Sequence, residues 1–137
     1  MIDFTTEHGQ RALQRLQQEQ VAWLVTVGAD GTPQPSPIWF LWDGEAALIY
    51  SQPNAPKVRN LQQRPQAALH FNSDEHGNNV VILTGTAALE DAPLAHEHQP
   101  YLEKYAEGIK SINLTPESMA ATYSATVVFR PTKLRGF

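Results

Sequence analysis

The period of apolar and polar positions changes several times along the chain, and each change marks an element. Thr5 and Thr6 offer N-cap hydroxyls before a segment in which Ala12, Leu13 and Leu16 share one helical face among Gln and Arg. This predicts a first helix over about residues 6–19. Val21-Ala-Trp-Leu-Val-Thr-Val27 is short, continuous and β-branched and runs into Gly28-Ala-Asp-Gly31, so it reads as strand and turn. The next strand, Gln34–Trp42, opens among Pro33, Pro35 and Pro37. Proline donates nothing to a ladder, so this start belongs on an edge, at a bulge, or with its backbone facing something other than a strand. Asp43-Gly44 then predicts a hairpin of type I′, which needs positive φ at both central positions, leading into Glu45–Ser51.

Lys57–Gln63 reads as a two-turn helix with Pro56 in its first turn, where the missing N–H costs nothing, and Arg64-Pro65 stops it. Gln66–Asn72 and Val80–Leu89 are two more strands, and Gly85 inside the second predicts a bulge or tight bend. Helical spacing returns from Pro93 to Glu107 through Leu94, Tyr101, Leu102 and Tyr105, with Pro100 expected to kink or interrupt it. Thr115-Pro116-Glu117 supplies a cap, a first-turn proline and a dipole-favourable acid for a short helix to Tyr123. Ala125–Arg130 closes the chain as a sixth strand. Six strands with short helices and no βαβ alternation predict a mostly β fold, a small six-stranded antiparallel barrel with helices outside.

Composition narrows the picture. A chain of 137 residues supports one core, so a single domain over 1–137 is expected, and 42% hydrophobic with 18% charged residues excludes a disordered chain. The absence of cysteine rules out disulfides, thiolate metal sites and a cysteine nucleophile. The longest apolar runs, Val21–Val27 and Ile38–Trp42, fall far short of the roughly 20 residues that cross a bilayer, which predicts a soluble cytoplasmic protein with no membrane partner. A net charge of −4 argues against a nucleic-acid partner. The charge is unevenly placed, however. Ala46–Ser73 holds Lys57, Arg59 and Arg64 without one acid, and Ala125–Phe137 holds Arg130, Lys133 and Arg135 likewise, which points to a local anion site.

Candidate chemistry is sparse elsewhere. His96 and His98 would face about 200° apart on a helix, and His8, His70 and His76 are isolated, so no metal site is expected. No nucleophile elbow, P-loop or dinucleotide fingerprint occurs. Asp74/Glu75 and Glu90/Asp91 read as solvated turn residues. Strand alternation puts Trp39 and Leu41 on one face and Phe40 and Trp42 on the other; one face is core, and the other is free to stack on a planar ligand or a second subunit. The informative segment is Ile49–Leu61. There a strand ends in the Ser51 hydroxyl, the chain turns through Pro53 and Asn54, and a helix N-terminus arrives carrying Lys57 and Arg59. Free N–H groups, the positive helix end and cations converge, an arrangement that holds phosphate. Both cations reach one anion only if Lys57 lies in an irregular first turn.

Gly31-Thr-Pro-Gln-Pro-Ser-Pro-Ile-Trp-Phe40, Asp43-Gly44, Leu48-Ile-Tyr-Ser51, Lys57-Val-Arg-Asn-Leu61 and Pro65 together resemble the pyridoxamine 5′-phosphate oxidase-like split-barrel superfamily. Tyr101-Leu-Glu-Lys-Tyr105, Thr115-Pro116 and Arg130–Phe137 are similar to its F420-dependent oxidoreductase branch. The resemblance implies a six-stranded split barrel, a homodimer, and a deazaflavin (coenzyme F420) or alternatively FMN in a groove between subunits. It places Pro35, Ser36, Pro37 and Trp39 near the tricyclic ring, and Ser51, Lys57, Val58, Arg59 and Asn60 at the cofactor phosphate. The basic tail from Arg130 is expected to be able to approach the same groove. The pyridoxal-phosphate-binding pattern of the true oxidases is missing, so oxidation of pyridoxamine phosphate is not expected. The implied activity is hydride transfer between the bound cofactor and a small, electron-poor unsaturated acceptor. The alternative is a non-catalytic carrier or sensor of flavin, deazaflavin or haem. No catalytic acid or base is assigned; Tyr50, Tyr123 and His70 are able to donate a proton but read as structural.

Overall fold

A computed structural model describes residues 1–137. Its strands are β1 (Ala22–Val27), β2 (Pro33–Ile38), β3 (Leu41–Trp42), β4 (Ala47–Ser51), β5 (Gln66–His70), β6 (Val81–Leu89) and β7 (Ala125–Gly136). Four helices flank them, α1 (Glu7–Gln18), α2 (Pro56–Gln63), α3 (Gln99–Ser111) and α4 (Pro116–Thr122), with a 3₁₀ turn at Ala95–Glu97. One sheet, antiparallel throughout, runs in the order β2-β1-β5-β6-β7-β4-β3. Its two outermost strands, β2 and β3, are consecutive in sequence, so the Trp39-Phe40 link joins the open edges and the sheet curls into a split barrel. No helix is long and apolar enough to cross a membrane.

The sheet has seven strands rather than six because Gln34–Trp42 is not one strand. At the break, the Phe40 N–H donates to Tyr105 Oη at 2.8 Å and the Phe40 carbonyl accepts from Lys104 Nζ at 2.6 Å. Side chains of α3 thus take the peptide that a neighbouring strand would otherwise pair. The prolines fit the edge they occupy. Pro33, Pro35 and Pro37 lie opposite Val27, Val25 and Trp23, so the donors toward β1 come from Gln34, Ser36 and Ile38, and each proline nitrogen faces the open side.

Strand alternation divides the apolar residues between two regions. Leu24, Phe40, Ile49, Leu69, Leu83, Val127 and Phe129 fill the barrel, all fully buried, together with Leu16 of α1. Outside it, Tyr50, Tyr101, Tyr105, Ile109 and Met119 form a second cluster under α3 and α4, against which Trp39 and Leu41 pack. Phe40 and Trp42 thus face the barrel interior, while Trp39 and Leu41 face the second cluster.

Local chemistry sets the boundaries, and three of them differ from the sequence reading. The Asp43-Gly44 hairpin forms, but only Gly44 has positive φ (102°). Asp43 Oδ1 accepts from the N–H groups of Glu45 and Ala46, both at 2.8 Å, so a side-chain cap builds the turn without type I′ geometry. Pro100 opens α3 instead of kinking it, and the departure from helical geometry falls at Tyr105. The last strand does not end at Pro131 but runs to Gly136 along β6, with a register shift at Thr84/Gly85. A Cβ on Gly85 would lie 2.1 Å from the Arg130 carbonyl oxygen, so only glycine lets the strands approach there. The basic tail is therefore a paired strand. Thr115 caps α4 as its sequence predicts, in a reciprocal box with Ser118.

Candidate functional site

A cleft of about 480 Å³ opens between the proline-rich edge, the end of β4 and the α3–α4 region. Pro37, Trp39, Tyr101, Met119 and Tyr123 line it, and Trp39 packs against the same cluster that holds Tyr101 and Met119. Ser51, Gln52, Ala55 and Lys57 close the end where β4 gives way to α2. Its volume lies within the range of small-molecule sites, roughly 300–1,000 Å³.

Each wall follows from local structure. The turn after β4 reverses the chain, and Pro56 starts α2 without requiring a capping side chain. Lys57 thereby sits in the first turn beside Ser51, whose hydroxyl donates to the Gln52 carbonyl at 3.0 Å. Lys57 is half-buried, and loss of hydration lowers its pKa below the ordinary lysine value. No carboxylate lines the cleft, so Lys57 is its one charged side chain. A desolvated cation without a counter-ion is costly, and an anionic ligand group offsets that cost.

Phenols supply much of the remaining lining. Tyr50 Oη lies 3.0 Å from His98 Nδ1 and also donates to the Pro93 carbonyl. Burial raises Tyr50 to about 12, and Tyr101 and Tyr105 are raised further, so all three stay protonated at neutral pH. Burial lowers His98, which favours its neutral form. The Trp39 indole stacks on the Tyr105 ring at 4.7 Å with planes 6° apart. The site therefore pairs a flat aromatic wall with a single cation at one end.

Of the residues singled out in the sequence, Pro37, Trp39, Ser51 and Lys57 line this cleft together. The others do not line it. Val58 is buried on the inner face of α2, and Asn60 Nδ2 donates to Thr26 Oγ1 at 3.0 Å and to Gln34 Oε1 at 2.8 Å, joining α2 to the sheet. Arg59 is exposed and donates to the Asn54 carbonyl, bracing the turn before α2. Pro35 lies farther along the edge strand, and Ser36 Oγ is enclosed with no hydrogen-bond partner. The tail also separates from the cleft. Arg130 pairs with Glu90 through both carboxylate oxygens, while Lys133 lies eight residues beyond Ala125, the partner of Ser51, about 25 Å of strand. Sequence reasoning overlooked Tyr101 and Met119 as cleft residues and took Tyr50 and Tyr123 for structural ones. Their signal was present in Tyr101–Tyr105 and in the Thr115 cap, but it gains meaning only once α3 and α4 lie over β4.

Comparison with known proteins agrees with this architecture. The family model described as pyridoxamine 5′-phosphate oxidase matches residues 9–137. No match was found among curated proteins. An F420 reductase structure is similar, with a TM-score of 0.65 and 23% identity over 89% of this chain and 94% of its own. HutZ, the haem storage protein from Vibrio cholerae, gives 0.61 and 18% over 90% and 91%. A haem-binding protein from Mycobacterium smegmatis gives 0.69 and 20%, covering 100% of this chain and 57% of its own. At such identities the likeness shows the shared fold.

Proposed function

The chain belongs to the pyridoxamine 5′-phosphate oxidase family, and we propose that it is an oxidoreductase holding coenzyme F420, or alternatively FMN, in the cleft between the proline edge and α4. The observation that carries this reading is the lone, half-buried Lys57 at one end of an otherwise neutral, aromatic cleft. Such a site suits a ligand that is flat and apolar at one end and phosphorylated at the other. Resemblance to the F420-dependent branch and likeness to an F420 reductase favour the deazaflavin.

In this reading Lys57 holds the phosphate through its ammonium group and its own backbone N–H, with Ser51 beside it, since the Val58 and Arg59 N–H groups already donate to the Ala55 carbonyl. Pro37, Trp39, Tyr101, Met119 and Tyr123 surround the ring and exclude water from it. The cofactor, once bound, supplies hydride transfer to a small unsaturated acceptor. The chain's own contribution is to orient the two reactants, which can account for much of a rate. Val21 and Ile112, two large apolar residues exposed at the cleft, suit cover by a second copy, so we place the site between the subunits of a homodimer.

A carrier of haem is the second reading, favoured by likeness to two haem proteins. Parallel titration of the purified protein with FMN, oxidised F420 and haem, followed by absorbance and fluorescence, separates the readings. Saturable binding of F420 or FMN with slower or absent haem uptake supports the oxidoreductase. Tight haem binding with no flavin or deazaflavin binding overturns it.

A further inference from the structure

The Trp39 wall is held by residues outside the cleft. Lys104 and Tyr105, consecutive on α3, both reach the Phe40 peptide just after Trp39. Lys104 Nζ donates to the Phe40 carbonyl at 2.6 Å and sits 3.7 Å from the centroid of the Phe40 ring. Tyr105 Oη accepts from the Phe40 N–H at 2.8 Å and lies 2.6 Å from the Gln20 carbonyl, its acceptor. Consecutive side chains on a regular helix diverge by about 100°, and the backbone of α3 leaves helical geometry at Tyr105. One turn on, a Cβ on Gly108 would lie 3.0 Å from Trp39 Cη2 and 3.2 Å from Cζ2. The indole thus lies flat across the Tyr105 ring and the bare backbone of Gly108.

We infer that Lys104, Tyr105 and Gly108 are positioning residues for the cofactor cleft, fastening the β2–β3 joint so that Trp39 presents a preset wall to the ligand ring. None of the three lines the cleft; they act through Trp39. The inference rests on the cleft's being the cofactor site. Around Lys104, the charged groups are Glu19 at the end of α1, itself paired with Arg15, and no acid from β3. Burial lowers Lys104 to about 8.

Gly108→Ala and Lys104→Met test this with FMN as the probe ligand. Alanine is the better helix former, so a merely structural Gly108 predicts an equal or higher melting temperature and unchanged binding. The latch predicts an undiminished melting temperature together with FMN affinity weakened by about three- to tenfold, since small misplacements at a preorganised site are expensive. Lys104→Met is expected to diminish the near-UV circular dichroism band that Trp39→Phe identifies as Trp39's. A Trp39 band unchanged in Lys104→Met overturns the latch, and this is read without any ligand. Unchanged FMN affinity in Gly108→Ala overturns the positioning role. If the unmodified protein binds neither FMN nor F420, the functional reading fails, while the Trp39 band still decides the latch.

Discussion

The barrel interior and the cluster beneath α3 and α4 are both buried, yet they are held differently. Inside the barrel, Leu24, Ile49, Leu69, Leu83, Val127 and Phe129 carry no polar atoms beyond the backbone, which the ladders satisfy. Beneath the helices, Tyr50 and Tyr105 each fix a hydroxyl on backbone or on a neighbouring side chain. Area alone stabilises the first region. The second exchanges some of that stability for groups held at defined distances, and it borders the cleft.

Substitutions should separate the two. Phe129→Ala empties fully buried barrel volume and should cost about 3–5 kcal/mol in chemical denaturation; a loss below about 1 kcal/mol would place the stabilising core elsewhere. Tyr105→Phe keeps the ring but leaves the Phe40 N–H without its acceptor. It should cost about 1–3 kcal/mol, the price of an orphaned buried donor, with a change in the Trp39 near-UV signal that Phe129→Val should not produce.

The pH dependence belongs to the second region. Lys104 binds its proton more weakly in the folded protein, at about 8, than at the ordinary 10.5. Its contribution is therefore full above the ordinary value and lost as pH falls through 8. Lys57 acts in the same direction. Tyr50, raised from 10.0 to about 12, has the opposite sign, as do Tyr101 and Tyr105; their contribution is full below 10 and lost as pH climbs. Urea denaturation should show stability rising from pH 8 to a maximum near 10 and then falling. In Lys104→Met the rise should shrink. A profile that declines steadily from pH 8 would contradict these assignments. Outside both regions, Glu90→Gln breaks only an exposed pair with Arg130, and its melting temperature should be indistinguishable from the parent's.

The same contrast explains what was legible in the sequence. Barrel strands announce themselves because alternation and β-branching are local, and Gly85 marked its bulge for the same reason. The break at Trp39-Phe40 did not, because Tyr105 makes it from 65 residues away. Nor did the passage of β7 through Pro131, which depends on the gap that Gly85 leaves in another strand. In the cleft, Ser51 and Lys57 were readable from one turn between strand and helix. Val58 and Asn60 came with the family motif, and helical periodicity turns both inward. Tyr101 and Met119 reach the cleft through tertiary packing, for which one chain's residue pattern carries no local signal.

The central claim is that Lys57 holds an anionic cofactor group in this cleft, and paired dissociation constants for FMN and F420 with the unmodified protein and Lys57→Ala test it most directly. Loss of one charge-assisted hydrogen bond predicts binding weakened by roughly 10- to 150-fold, with little change in melting temperature. Equal affinities for both cofactors in the two proteins would contradict the account and move the phosphate site away from α2.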